Sequence, residues 1–363
     1  GAGIGGGIFV GDSATLFFND AVGIASNLSN NTVTAGAAGG SGATSGSTLA
    51  PDIFLFKGAS TQFLGAQNLT AGFSIVGDTT VGNIPDAGLV MNGAGTVTLG
   101  STLNTYQGGL FLNSGILNIS ADTNLGTVPS TAATNITFNG GTLAVTATPV
   151  TINSNRGILL NSGGGTLQIN TGTTTYGGVI SGSGALTKTG AGTLLLSGTS
   201  TTTGIFTVSN GVLQAAATNI LSSISALNMS TSATATFNLN NNSQTVGTLS
   251  GGTSGTVGNI TLGSATLTVK QTDNATYGGV ISGTGGLTLS TLAVDTLTLS
   301  NTNTYTGATT INGGTLHLTG TNAIFASSGV TLDTNGGANL SLGSVSQTIK
   351  SLSGGSAGGG HVF

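Results

Sequence analysis

Residues Thr175–Gln214 read TYGGVISGSGALTKTGAGTLLLSGTSTTTGIFTVSNGVLQ, and most of this stretch comes back. From Thr276 the chain runs TYGGVISGTGGLTLSTLAVDTLTLSNTNTYTGATTINGGTLHL, and from Gly93 it runs GAGTVTLGSTLNTYQGGLFLNSGILNI. All four tyrosines, Tyr106, Tyr176, Tyr277 and Tyr305, fall in these copies. Long-range self-similarity of this kind is the mark of a repeat architecture.

A shorter motif recurs inside and between the copies. It reads Leu112-Asn113-Ser114-Gly115-Ile116-Leu117, then Phe138-Asn139-Gly140-Gly141-Thr142-Leu143, Val208-Ser209-Asn210-Gly211-Val212-Leu213 and Ile311-Asn312-Gly313-Gly314-Thr315-Leu316. Asn and Gly tolerate the positive φ of a tight turn. Alternating Thr, Val, Ile and Leu on either side is a strand signal. No stretch holds a 3.6-residue apolar period with helix caps.

Anchor leucines give the period. Leu117, Leu143, Leu167, Leu194, Leu213, Leu239, Leu267, Leu297, Leu316 and Leu340 follow one another at a mean step of about 25 residues. A longer unit spaces Leu117, Leu213 and Leu316 by 96 and 103 residues. Three short strands in each period of about 25 residues predict an all-β parallel β-solenoid of roughly 14 turns, with the ten leucines inside. A β-propeller is the rival, but its blades repeat every 40 to 50 residues or so.

Composition agrees. Gly accounts for 65 of 363 residues, charged residues for 4%, and Glu is absent. In stacked turns like residues lie over like about 4.8 Å apart, where equal charges repel and Asn, Thr and Ser hydrogen-bond along the stack. A 37% hydrophobic content argues against disorder. The net charge of −4 is thinly spread, with no basic patch to bind nucleic acid. No apolar run reaches 18 residues, so no membrane-spanning helix is expected. The reading places residues 1–75 in N-terminal solenoid turns, with Ala35–Pro51 an extruded Gly/Ser/Ala loop. It places 76–363 in regular repeats of the same continuous, elongated domain.

Val179–Gly198 (VISGSGALTKTGAGTLLLSG), with the TYTG turn and NGGTLHL of the later copy, resembles the autotransporter-associated β-strand repeat found in passengers of Gram-negative autotransporters. The match is carried by Tyr176–Ile180, Leu186–Gly198 and Gly211–Leu213. It recurs over Tyr277–Leu289 and Thr296–Leu318, and in part over Gly93–Leu99 and Asn104–Leu117. The later copy departs from the pattern where Ser290–Asp295 replaces KTGAG. The resemblance implies a right-handed parallel β-helix carried outside the cell, on the outer surface of a Gram-negative bacterium.

Chemistry-bearing residues are few. There is no Cys, and His317 and His361 are the two histidines. A His/Cys metal site is excluded on these numbers. Alternation turns His317 outward beside Leu316, and His361 falls in a terminal Gly run. Gly354–Gly358 matches G-x-S-x-G and Gly1, Gly3 and Gly6 match G-x-G-x-x-G, both without the strand–helix setting these motifs need. Asp78 with Asp86, or Asp273 with Asp295 near Lys270, are the candidate carboxylate pairs, and turn formation is the simpler role for each. Phe54, Phe56, Phe138, Phe206 and Phe237 fit core positions. No catalytic, cofactor-binding or metal-binding residue is expected.

The expected function is a non-enzymatic extracellular structural solenoid, a passenger segment that builds a stalk, fibre or self-associating layer. An adhesin that binds a host or surface ligand along a lateral face is the alternative, followed by a carbohydrate-active β-helix enzyme. Copies of the chain itself are the expected partners, head-to-tail or lateral, because neither end shows the polar cap that solenoids use against edge pairing. Host or surface ligands come second. No cofactor is expected.

Overall fold

A computed structural model describes residues 8–18, 53–55, 58–64, 69–71, 74–77 and 88–363, apart from 231, 233, 253–256, 292–294, 334–336 and 355–359. The expected loop at Ala35–Pro51 lies outside these residues. The chain divides into two compact units, Gly1–Gly165 and Thr166–Phe363. Each is a stack of short strands, and every strand pairing in the described residues is parallel. Apart from the long strand Thr309–Leu318, which pairs with both of its neighbours in the chain, no two consecutive strands of the described residues pair with each other. Each instead pairs with its counterpart one turn on, so the Asn-Gly motifs are corners of a coil and not hairpins.

In the first unit one sheet holds Ile8–Val10, Ile53–Leu55 and Ile75–Gly77. A second runs through Thr15–Phe18, Ser60–Phe63, Gly88–Met91, Leu110–Leu112, Ala133–Phe138 and Arg156–Leu160, and a third through Leu69–Ala71, Thr96–Leu99, Ile116–Ile119 and Thr142–Val145. The second unit repeats the plan. One of its sheets stacks Thr193–Leu196, Val212–Ala215, Thr236–Asn238, Asn259–Thr261 and Ile281–Ser282. Another stacks Gln244–Val246, Leu267–Val269, Leu287–Ser290, the first half of Thr309–Leu318, Val330–Leu332 and Leu352–Gly354.

Register explains the core. Val97, Leu117 and Leu143 lie over one another in the first unit. Leu194, Leu213, Phe237, Ile260 and Ile281 do so in the second. All ten anchor leucines are buried, none more than 1% exposed. Counted over both units there are about 12 turns of roughly 22 residues, fewer than the 14 expected and shorter than 25. The leucine list had crossed between sheets. Leu167 belongs to a strand that stacks in a different sheet from that of Leu194, and Phe237, not Leu239, lies over Leu213.

Outward positions carry the ladders that the composition called for. Asn113 donates to Asn92 (2.7 Å), Asn92 to Gln62 (3.1 Å) and Asn118 to Thr98 (3.1 Å). Where a turn has no strand on one side, a buried amide side chain takes its place. Asn104 accepts from the Ile75 N–H (2.8 Å) and donates to the Asn124 carbonyl (3.0 Å). Asn303 does the same between Ile281 and Ala323, and Gln244 between Ile220 and Ala217. The four repeat tyrosines are buried, with their hydroxyls tied to Asn124, Val179 and Gly258 carbonyls and to Thr309.

One corner of the first unit is filled by a cation. Arg156 shares the inward parity of Ile158 and Leu160 and is fully buried. Its Nε donates to Asp122 Oδ1 at 2.9 Å. Its Nη atoms donate to Asn135 Oδ1 (2.7 Å) and to the Leu125 and Gly126 carbonyls (2.9 and 2.7 Å). The guanidinium thereby holds the 3-10 turn Asp122–Leu125 where strands stack elsewhere.

Two outcomes follow. Gly211 sits at a corner with φ +65, and a Cβ there would lie 2.4 Å from the Gly190 carbonyl oxygen. Gly211→Ala should therefore lose at least about 1 kcal/mol from the left-handed backbone alone, read as a lower urea midpoint. An unchanged midpoint would refute this close approach. Arg156→Met strands Asp122 and Asn135 and should cost about 3 kcal/mol. Arg156→Lys should not recover it, since a single ammonium cannot make the forked contacts; a lysine variant as heat-stable as the parent would overturn the assignment.

Candidate functional site

The residues singled out by sequence do not converge. His317 lies half-buried on an outward position, with its Nδ1 2.8 Å from Ser341 Oγ on the neighbouring strand. His361 is exposed in the short strand His361–Val362 and pairs with Asn339, where a loose Gly run had been expected. Among the described residues no three His, Cys, Asp or Glu side chains come close enough to hold a metal ion. Asp78, Asp86, the Gly1–Gly6 motif and all of Gly354–Gly358 but Gly354 lie outside the described residues. Phe138, Phe206 and Phe237 are buried. Phe56 and the side chain of Phe54 also fall outside the described residues.

Of the Asp273/Asp295 pair, one member reaches a recess. On the second unit two adjoining hollows, of about 510 and 600 Å³, share Ser223 and Lys270. The first is also lined by Ile224, Gln271, Ser290 and Asp295. The second is lined by Asn219, Thr245 and Thr268 among others. Asp273 does not line either hollow; it is exposed, and its carbonyl accepts from Gln271 Nε2 at 2.7 Å.

The wall of the groove is a loop, residues 216–226, between Val212–Ala215 and Leu227–Met229. Ile220 and Leu221 pin it inward, and the Ser225 hydroxyl fastens it to the Thr202 carbonyl at 2.6 Å. Asn219 takes a positive φ of 51 that turns the chain. Ser222, Ser223 and Ile224 are then left on the rim. Lys270 projects from the end of Leu267–Val269 and is exposed. Among the described residues neither the Lys270 ammonium nor the Asp295 carboxylate has a hydrogen-bond or ion-pair partner. The groove thus offers hydroxyls, an amide, one cation and one anion. Sequence reasoning had paired Asp273 with Asp295 and placed Lys270 near them but missed the serines, because loop 216–226 carries no periodic signal.

Lys188 was also missed. It has the inward parity of Leu186, and that was its signal. Its Nζ donates to the carbonyls of Thr189 (2.9 Å), Gly190 (2.8 Å) and Asn210 (2.9 Å), clamping one corner to the next. Burial pulls its pKa down to about 8 from 10.5. A lysine with a depressed folded pKa leaves the unfolded chain holding more protons across that window, so stability rises with pH from about 8 to 10.5. The urea midpoint of the parent should climb relative to Lys188→Met across this window; a constant difference between the two would contradict the burial cost.

Comparison with known proteins follows the same stretches. A family model described as Passenger-associated-transport-repeat matches residues 89–119, 186–215 and 295–318. An adhesin, the BmaC autotransporter of Brucella suis biovar 1 (strain 1330), is 33% identical over 191 residues, which is 52% of this chain. The match spans 5% of that relative's length. No solved structure matches. The three matched stretches hold the strands and corners described above, and the chain therefore carries the passenger repeats of autotransporters on a parallel β-solenoid.

Proposed function

We propose that this chain is a structural length of an exported passenger, standing on or released from the outer surface of a Gram-negative bacterium, and that it acts without catalysing a reaction. The observation that supports this best is the coincidence of the three passenger-repeat matches with stacked, in-register turns. The polar side chains on those turns bond to one another along the stack and not around a common point. Glycoside cleavage uses two carboxyl groups about 5 to 9.5 Å apart, and the groove lining contains one, Asp295. A chain with 4% charged residues also raises little electrostatic barrier to contact between copies, which supports a stalk, fibre or self-associating layer.

Adhesion is the second reading, favoured by the name of the Brucella relative and by the lateral groove. Both readings are tested by displaying the chain in a Gram-negative host between an export signal and an outer-membrane barrel. Protease added to intact cells should remove it, and displaying cells should clump and settle. Attachment to host-cell layers without clumping would favour adhesion over self-association. A chain protected inside intact cells would overturn the exported reading, and depolymerisation of a polysaccharide would overturn the non-enzymatic one.

A further inference from the structure

We infer that the groove around Lys270 is the anchor point of a binding track for a linear acidic polysaccharide laid along the turns of the second unit. This deepens the adhesive reading by naming a site and a ligand class.

The first observation is an unpartnered charge in a recess. The described residues hold four cations. Arg156 is spent on Asp122, Lys188 on three corner carbonyls, and Lys350 on the Ala326 carbonyl at 2.8 Å. Lys270 alone among them has no protein partner, and it stands at the junction of the two hollows. It is free to meet a carboxylate.

The second observation is a hydroxyl ladder that starts in the groove and leaves it. Thr245 and Thr268 line the second hollow. They are register partners, and the same outward position continues through Thr288, Thr310, Thr331 and Ser353. Six successive turns thus present a hydroxyl, about 4.8 Å apart at the strand spacing. The inward neighbours on these strands are buried, so the ladder faces out. A surface that repeats in one direction at a constant step suits a ligand that also repeats. Sugar hydroxyls both donate and accept, as Thr and Ser do. Asp295 repels the ligand's carboxylates and so can accept only from its sugar hydroxyls, which leaves Lys270 to meet the acid group, and Asn219 adds an amide at the anchored end. No aromatic side chain lines either hollow. Affinity must then come from many hydrogen bonds plus one charge, and it should grow with ligand length.

Calorimetry on the purified chain tests this apart from surface display, so failure of one leaves the other standing. The probes are oligogalacturonates of increasing length, neutral dextrans of matched length, and inorganic phosphate. Oligogalacturonates should bind, more tightly as they lengthen and less tightly with added salt. Dextrans should bind more weakly. Lys270→Gln, an exposed change, should weaken the acidic ligand about tenfold, the loss of one charge-assisted contact. Thr268→Val with Thr288→Val keeps β-branched volume and should remove the length dependence; an unfolding midpoint near the parent's shows that the fold is kept. No binding of any oligogalacturonate at millimolar concentration would overturn the proposal. So would equal binding by phosphate alone, or binding that Lys270→Gln leaves unchanged.

Discussion

In a stack of parallel turns every backbone N–H and C=O that points along the stack must be met by the turn above or below. An unmet buried peptide group costs about as much as a lost hydrogen bond, and the described residues include no α-helix to absorb them internally. The rest of the structure answers to that demand. Strands meet it directly, Leu over Leu and Thr over Thr. Where a turn departs from strand geometry, Asn104, Asn303 and Gln244 supply a side-chain amide, which has the same donor and acceptor as a peptide unit. Where even that fails, charge takes over: Arg156 satisfies the carbonyls of a 3-10 turn and Lys188 those of two stacked corners.

The same demand makes much of the fold legible in the sequence. Parity along a strand decides inside from outside, so the ten leucines could be placed in the core from spacing alone. Asn-Gly corners could be placed because few residues other than Gly accept both a positive φ and a carbonyl pressed against the α-carbon. The length of a turn was harder to read. Apolar residues other than Leu serve equally well in a stack, and Phe237, Ile260 and Ile281 continue a column that Leu194 and Leu213 begin. A count of leucines therefore jumps between sheets and overestimates the step.

The groove was legible in fragments. Lys270 and Asp295 stood out as rare charges in a chain that is 4% charged. Ser223, 47 residues before Lys270, did not, since its place on the rim depends on how far one loop swells beyond the corner that it replaces. Loop excess is a property of a single turn, and periodicity averages it away. The buried cations were hidden for a different reason: a polar residue at an inward position reads as noise unless parity is kept strictly, and Arg156 and Lys188 both keep it.

The strand Thr309–Leu318 bends from one sheet into the next with no intervening loop, its first half stacked on Leu287–Ser290 and its second on Thr296–Leu299. The ladder to Leu287–Ser290 slips by one residue at Asn312, where the corner turns. Adding or deleting a further residue within the strand would send its later side chains to the opposite face, so small changes of length are closed to this corner. What remains open is gain or loss of a whole coil, which leaves every neighbour in phase. A chain under that rule changes its length by copying turns entire, and the recurring stretches at Gly93, Thr175 and Thr276 have the form that such copying leaves behind.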